Sequence, residues 1–363
     1  VQAHMIRGNN KYNSYTNNTK NYIEVIAGDL TEHHGSVDYH WQNDGAPYVV
    51  TGTFRVYRGD TNGDNNQDRR SVLRIDPGTE IQFYPDQYLY IGHEPNSRYG
   101  ALQADSVTFT AFDTLDVWGG LRYAPQAIDD STLNYLKNST VEYAIDGVHC
   151  QSSNPTITNT VFRYNEDGIE ADEGARPTVT GNSFIENTRP VSVYAQRIDS
   201  TLYGNTYTDN EKDYIEVQED YIDENGTFVW TMDGAPYFLL NNVYVEANNN
   251  GSWLSTLKIE EGTTIQFDTG SHLFIGRDND SNRKGALQAD GVTFTKGDGV
   301  DSWSAIYIRD YSDDAMTYLD NCVIEYATDG VYCQSSSPTI TNTVFRYNED
   351  GIEGDVSSIP VVE

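Results

Sequence analysis

Pro155-Thr156-Ile157-Thr158-Asn159-Thr160-Val161-Phe162-Arg163-Tyr164-Asn165-Glu166-Asp167-Gly168-Ile169-Glu170 occurs twice in this chain, and the second copy, Pro338 to Glu353, is unchanged at every position. Apolar and polar residues alternate along it, Val, Ile, Thr, Tyr and Phe are frequent, and Asn, Gly and Pro interrupt the runs. That pattern belongs to short strands separated by turns rather than to a helix.

The duplication extends on both sides. Gly100-Ala101-Leu102-Gln103-Ala104-Asp105 recurs as Gly285-Ala286-Leu287-Gln288-Ala289-Asp290, and Asp44-Gly45-Ala46-Pro47-Tyr48 as Asp233-Gly234-Ala235-Pro236-Tyr237. A finer period lies inside each copy. Val141-Glu142-Tyr143, Phe162-Arg163-Tyr164 and Ile185-Glu186-Asn187 align at intervals of 21 and 23 residues. On that alignment Asn138, Asn159, Asn182 and Asn205 form one column, joined in the second copy by Asn321 and Asn342. The period is too short for paired helices and suits one coil of a β-solenoid with three strands and three turns. At that period the chain supplies roughly 14 to 16 coils, stacked about 4.8 Å apart. Alternation points Val141, Phe162 and Ile185 inward and Glu142, Arg163 and Glu186 outward. The Asn column predicts a ladder. A turn leaves backbone groups without sheet partners, and an Asn amide can bond within its turn and to the Asn of the next coil.

Leu73-Arg74-Ile75-Asp76-Pro77-Gly78-Thr79-Glu80-Ile81-Gln82-Phe83, Leu89-Tyr90-Ile91-Gly92, Gly100-Ala101-Leu102, Val107-Thr108-Phe109-Thr110 and Trp118-Gly119-Gly120-Leu121 together resemble the repeat region of secreted right-handed parallel β-helix proteins of microbial surfaces. The resemblance implies an all-β, internally duplicated right-handed parallel β-helix. It says less about function, because that fold hosts adhesins, fibres, lyases and hydrolases. The second copy departs from the pattern at Trp303-Ser304-Ala305-Ile306, where both glycines are lost.

The repeats divide the chain into residues 1–22, 23–213 and 214–363. The first segment contains Asn13-Ser14-Tyr15-Thr16, which matches the closing coil of the first unit at Asn205-Thr206-Tyr207-Thr208, whereas the second unit stops at Glu363 before its own closing coil. This out-of-phase cut predicts head-to-tail self-association, one subunit's N-terminal segment completing the next subunit's open end, or else continuation within a longer polypeptide.

Few residues carry recognisable chemistry. The sets that polysaccharide lyases and hydrolases of this fold require are not found, and no catalytic residue is assigned. Asp146 and Asp167 should stack on adjacent coils, with Glu166 and Glu170 beside Asp167, and the second copy repeats the pattern at Asp329 and Asp350. Each aspartate precedes a glycine, which reads as turn chemistry, with a bound cation as the alternative. Asp60, Asn62, Asp64, Asn66 and Asp68 alternate as the oxygen ligands of a calcium loop do, but Asn65 stands where such a loop has glycine and Ser71 where it has glutamate. A solvated loop and a weak calcium site both remain open there, so calcium is a possible ligand and no cofactor is required. His33-His34 reads as a surface pair. Tyr143 over Tyr164 is either the edge of the core or a sugar platform. Asn17, Asn225, Asn250 and Asn279 head glycosylation sequons in loops, whereas the sequon at Asn138 falls in the ladder.

Asp and Glu number 55 against 23 Lys and Arg, and the net charge of -32 argues against nucleic acid as a partner. No apolar run is long enough for a membrane helix. Of three cysteines, Cys150 and Cys333 match between copies as small buried side chains, while a Cys322–Cys333 bridge stays open. The expected protein is a non-enzymatic extracellular structural protein, a filament subunit or a segment of a long surface protein. Its expected partner is itself, with surface glycans as candidates. The alternative is a carbohydrate-active β-helix.

Overall fold

The structure, a computed structural model, describes residues 2–6, 13–31, 37–58, 70–93, 98–198, 201–218, 220–248 and 250–363. They form two compact units, residues 1–192 with 204–213, and residues 193–203 with 214–363. Regular structure in both is β; the two helical turns among the described residues, Ala3–Met5 and Ala195–Arg197, are single 3-10 turns.

In the first unit successive rungs build three parallel faces. The first face runs Val37–Trp41, Ser71–Ile75, Gly100–Asp105, Tyr135–Lys137, Thr156–Thr158, Thr178–Thr180. The second, with eight strands, runs Ile23–Val25, Tyr48–Val50, Glu80–Phe83, Thr108–Ala111, Thr140–Glu142, Val161–Arg163, Ser183–Ile185, Thr206–Thr208. The third runs Phe54–Val56, Tyr88–Ile91, Trp118–Tyr123, Ala144–Cys150, Asp167–Ala171, Arg189–Tyr194. The second unit repeats the plan with six strands on each face among the described residues.

Inward side chains stack by kind. Phe162, Phe184 and Tyr207 lie at 5.2 Å successive centroid spacings with planes 13° and 12° apart. Trp118 stacks on Phe83 at 4.2 Å and donates its indole N–H to the Glu142 carbonyl; Trp303 does the same with Phe267 and Glu325 in the second unit. All three cysteines are buried and free. Cys322 takes the place of Ser139, its thiol bonding the Asp320 carbonyl as the Ser139 hydroxyl bonds that of Lys137.

The register corrects the expected columns by one residue. Phe162 pairs with Phe184, and Arg163 with Ile185. Phe184 therefore enters the core, and Ile185, not Glu186, continues the outward column of Glu142 and Arg163. A shift of one residue exchanges every side chain between faces.

The same shift splits the asparagine column in two. Asn138 and Asn159 align with Gly181 and Gly204 at the corner between the first and second faces, and all four have left-handed backbone, φ 49, 51, 67 and 70. Gly45, Gly78 and Ser106 occupy the same corner on earlier rungs, also at positive φ. Asn is there because it tolerates this conformation better than other side-chain-bearing residues. Asn138 and Asn159 are exposed, and Asn321 and Asn342 repeat them at φ 52 and 50. Asn182 and Asn205 stand one residue later, buried in line with Ser139 and Thr160. There Asn205 Oδ1 accepts from the Asn182 backbone N–H at 2.9 Å and from its Nδ2 at 3.1 Å.

A second inner ladder, not anticipated, lines the corner between the second and third faces. Tyr143, Tyr164, Glu186 and Asp209 hold positive φ, and Asn165, Asn187 and Asn210 follow the last three. Asn187 Oδ1 accepts from the N–H and Nδ2 of Asn165, and its own Nδ2 donates to the Phe162 carbonyl at 3.0 Å. Asn210 repeats this toward Asn187, and Asp213 Oδ1 closes the series. In the second unit Asn348 serves Ala327 and Ile324 alike.

Residues 13–22 contain no strand despite their likeness to a closing coil. Asn13 and Tyr15 instead donate to Asp44, at 2.8 and 2.7 Å.

The two kinds of column differ in consequence. Asn187→Ala leaves the buried Asn165 N–H without its acceptor and the Asn165 amide without one of its two, and should cost about 2–3 kcal/mol. Asn159→Gly reproduces what Gly181 already does and should stay within about 0.5 kcal/mol. Urea denaturation of both variants checks this, and equal losses would contradict the division into inner and outer columns.

Candidate functional site

A dense charged array lies outside the third face of the first unit. Register sets Arg55, Tyr90, Arg122, His149, Glu170 and Ser192 in one column along it, and Tyr88, Gly120, Asp146, Asp167 and Arg189 in the next. Asp146 and Asp167 do stack on adjacent rungs, but within strands and not in turns. Their glycines are there for space: a Cβ on Gly147 would meet the Gly168 carbonyl at 2.6 Å.

Arg122 organises the array. Its guanidinium lies over the Tyr88 ring, Nη2 donates to Asp146 Oδ2 at 2.8 Å, and Nη1 lies 2.6 Å from His149 Nδ1. Arginine only donates, so Nδ1 accepts. The neutral imidazole then carries its proton on Nε2, 2.9 Å from Asp172 Oδ1. Arg189 grips both oxygens of Asp167, at 2.7 and 2.6 Å. Burial favours the protonated form of Asp146, against the Arg122 charge. It does the same for Glu170, with the Asp146 and Asp167 charges adding to it. Asp146, His149 and Glu170 bring one ligand atom each within 4.8 Å of one another, a donor set able to hold a metal, with Asp172 orienting the imidazole. The Arg122 guanidinium bonds two of these three residues and supplies the local positive charge.

The second unit keeps the carboxylates and loses the cations. Tyr307 and Tyr332 pair in the register where Arg122 and His149 stand, and Asp329, Asp350 and Glu353 cluster beside them. Asp329 is shifted toward protonation by burial first, then by the charge of Glu353 and a hydrogen bond to it, then by Asp350. A separate carboxylate, Glu246, is wholly buried and held by Arg277 and Arg283 at 2.8 and 2.9 Å. Neither arginine grouping was legible beforehand, because each draws on residues from neighbouring rungs whose pairing depends on register.

The other expected sites fall as follows. Asp60, Asn62, Asp64, Asn66 and Asp68, like His33 and His34, lie outside the described residues. Asn17, Asn225, Asn250 and Asn279 are all exposed. Asn138 donates its amide to Asp105 at 2.9 Å. Tyr143 and Tyr164 are corner residues outside the core, stacked at 5.0 Å.

Residues 103–258 match the family model described as right handed beta helix region. With the parallel faces above, that decides the architecture. The protein is a right-handed parallel β-helix. No curated protein and no solved structure matches it. Among the described residues, no helix of this β-helix is long and apolar enough to cross a membrane.

The uncompensated carboxylates of the second unit make stability depend on pH. A carboxyl whose folded-state value is raised contributes stability that is full below its ordinary value of 3.8 and is lost as pH rises through the folded value. Asp329→Asn removes that loss. Its melting temperature should exceed that of the parent by a margin that grows between about pH 4 and about pH 7. A margin that is constant or shrinks with pH would refute the assignment.

Proposed function

We propose that this β-helix is a non-enzymatic structural protein of an extracellular or cell-surface assembly. The supporting observation is where its charged side chains are used. Arg122–Asp146, Arg163–Glu142, Arg189–Asp167, Arg277–Glu246 and Arg346–Glu325 all join one rung to its neighbour. A stack of like rungs needs such pairs, because identical outward charges would otherwise repel at the rung spacing. The divergence of the duplicated array, with tyrosines at the Arg122 and His149 positions, fits a surface whose requirement is stacking rather than a fixed reaction.

The aromatic columns favour the same reading over glycan binding. Tyr221, Tyr244 and Phe274 follow one another at 4.6 and 5.0 Å with planes 15° and 11° apart. At such spacings parallel rings must lie face over face, so each covers its neighbour's face and presents an edge outward. A sugar ring needs a free aromatic face.

Self-association is part of the proposal. The last strands of two faces of the second unit, Val344–Arg346 and Val361–Val362, expose Val344, Val361 and Val362 by 50%, 47% and 58%. A further rung, from a second copy or from the same polypeptide, would cover them. The four exposed sequons suit an extracellular setting, and calcium is not needed for folding.

A carbohydrate-active reading has one observation of its own, two carboxyls held toward protonation beside His149. Assays of pectin-like and alginate-like polymers, with calcium and with chelator, separate the readings. We expect neither reducing ends nor unsaturated products, no loss of structure with chelator, and a lower melting temperature for Arg122→Met. Catalytic turnover that Arg122→Met or His149→Ala abolishes would overturn the structural reading.

A further inference from the structure

The corner between the second and third faces of the first unit carries Tyr143, Tyr164, Glu186 and Asp209 on successive rungs, all with left-handed backbone, φ 56, 57, 52 and 56. The two tyrosine rings are 5.0 Å apart with planes 19° apart, and Tyr164 is 40% exposed. The Glu186 carboxylate beside its hydroxyl resists its ionisation. The repeat places Tyr326 and Tyr347 in the same relation, at 5.0 Å and 16°, with Tyr347 69% exposed and the Lys296 ammonium 5.0 Å from the Tyr326 ring centroid.

Two phenols held over one another, one with a carboxylate beside its hydroxyl, form an arrangement suited to one-electron oxidation. Removing an electron from a phenol makes its proton strongly acidic, so a base close to that proton lowers the barrier to radical formation. Held at this separation, the second phenol reacts as an intramolecular partner. We propose that Tyr143 and Tyr164 are an oxidative cross-linking site, coupled to dityrosine by a one-electron oxidant of the haem-peroxidase class with hydrogen peroxide, which staples two adjacent rungs covalently.

The chemistry balances. Tyr164 gives one electron to the oxidant and its phenolic proton to Glu186; Tyr143 gives one electron to the oxidant and its proton to water. The two phenoxyl radicals join through ring carbons ortho to oxygen, forming one carbon–carbon bond. The two displaced ring hydrogens return to the oxygens and restore both phenols. Hydrogen peroxide takes up the two electrons and two protons, becoming two waters, and Glu186 releases its proton to solvent. The protein loses two hydrogen atoms per staple. The proposal is independent of the structural reading, and its failure would leave that reading standing.

The test treats the full chain, dilute, with peroxidase and a small excess of hydrogen peroxide, then digests with trypsin. Cleavage after Arg163 and Arg346 separates the tyrosines of each stack onto different peptides. The expected product joins the Tyr143 and Tyr164 peptides, lighter by two hydrogen atoms than their sum, with dityrosine fluorescence in monomeric protein. Glu186→Gln, at an exposed position, should lower that yield several-fold relative to the Tyr326–Tyr347 product in the same sample, and Tyr164→Phe should remove it. Cross-links mainly between molecules, or a yield ratio that Glu186→Gln leaves unchanged, would overturn the proposal.

Discussion

The fold depends on how a parallel coil turns its corners. Three strands per rung need abrupt bends, and here the bends are made with single left-handed residues, which leave the next backbone N–H pointing along the stack with no strand partner. In the first unit's later rungs that group is met by a side-chain oxygen one rung on: the amides of Ala144, Asn165 and Asn187 by Asn165, Asn187 and Asn210, and those of Thr160 and Asn182 by Asn182 and Asn205. A buried polar group left unpaired costs more than most surface contacts return, so these amides set the register on which the apolar stacks then depend.

Register, once set, governs the electrostatics of a chain with net charge -32. Parallel stacking brings like side chains together, which suits phenylalanine and is unfavourable for aspartate. In the first unit Arg122 and Arg189 flank the Asp146–Asp167 stack, and His149 is sandwiched between Arg122 and Asp172. The second unit keeps the Asp329–Asp350 stack with tyrosines nearby, and a carboxyl there relieves the repulsion by favouring its proton. Nearly identical backbones thus carry two solutions to one repulsion.

Much of this was legible in the sequence. An exact sixteen-residue repeat, a shorter internal period and alternating β-branched and aromatic residues were enough for the duplicated parallel coil. The register was not. Phe184 and Ile185 are both apolar, and no asparagine marks the corner beside them, because Gly181 does the same conformational work there. Matching by residue type therefore aligns Asn182 with Asn159, one position away from the true register. The inner ladder at Asn165, Asn187 and Asn210 was hidden for the same reason, since the coils differ by a residue in length. The arginine sites are invisible without register, because Arg122 lies 24 residues from Asp146 and 27 from His149.

Amide hydrogen exchange offers the most direct test of the claim that side-chain oxygens complete the corners. The backbone N–H groups of Ala144, Asn165, Asn187, Thr160 and Asn182 sit at corners, immediately after a left-handed residue, yet should exchange as slowly as those of the neighbouring strands, because opening them requires separating rungs. Exchange at these five amides as fast as in exposed loops, with the strands still protected, would contradict the account.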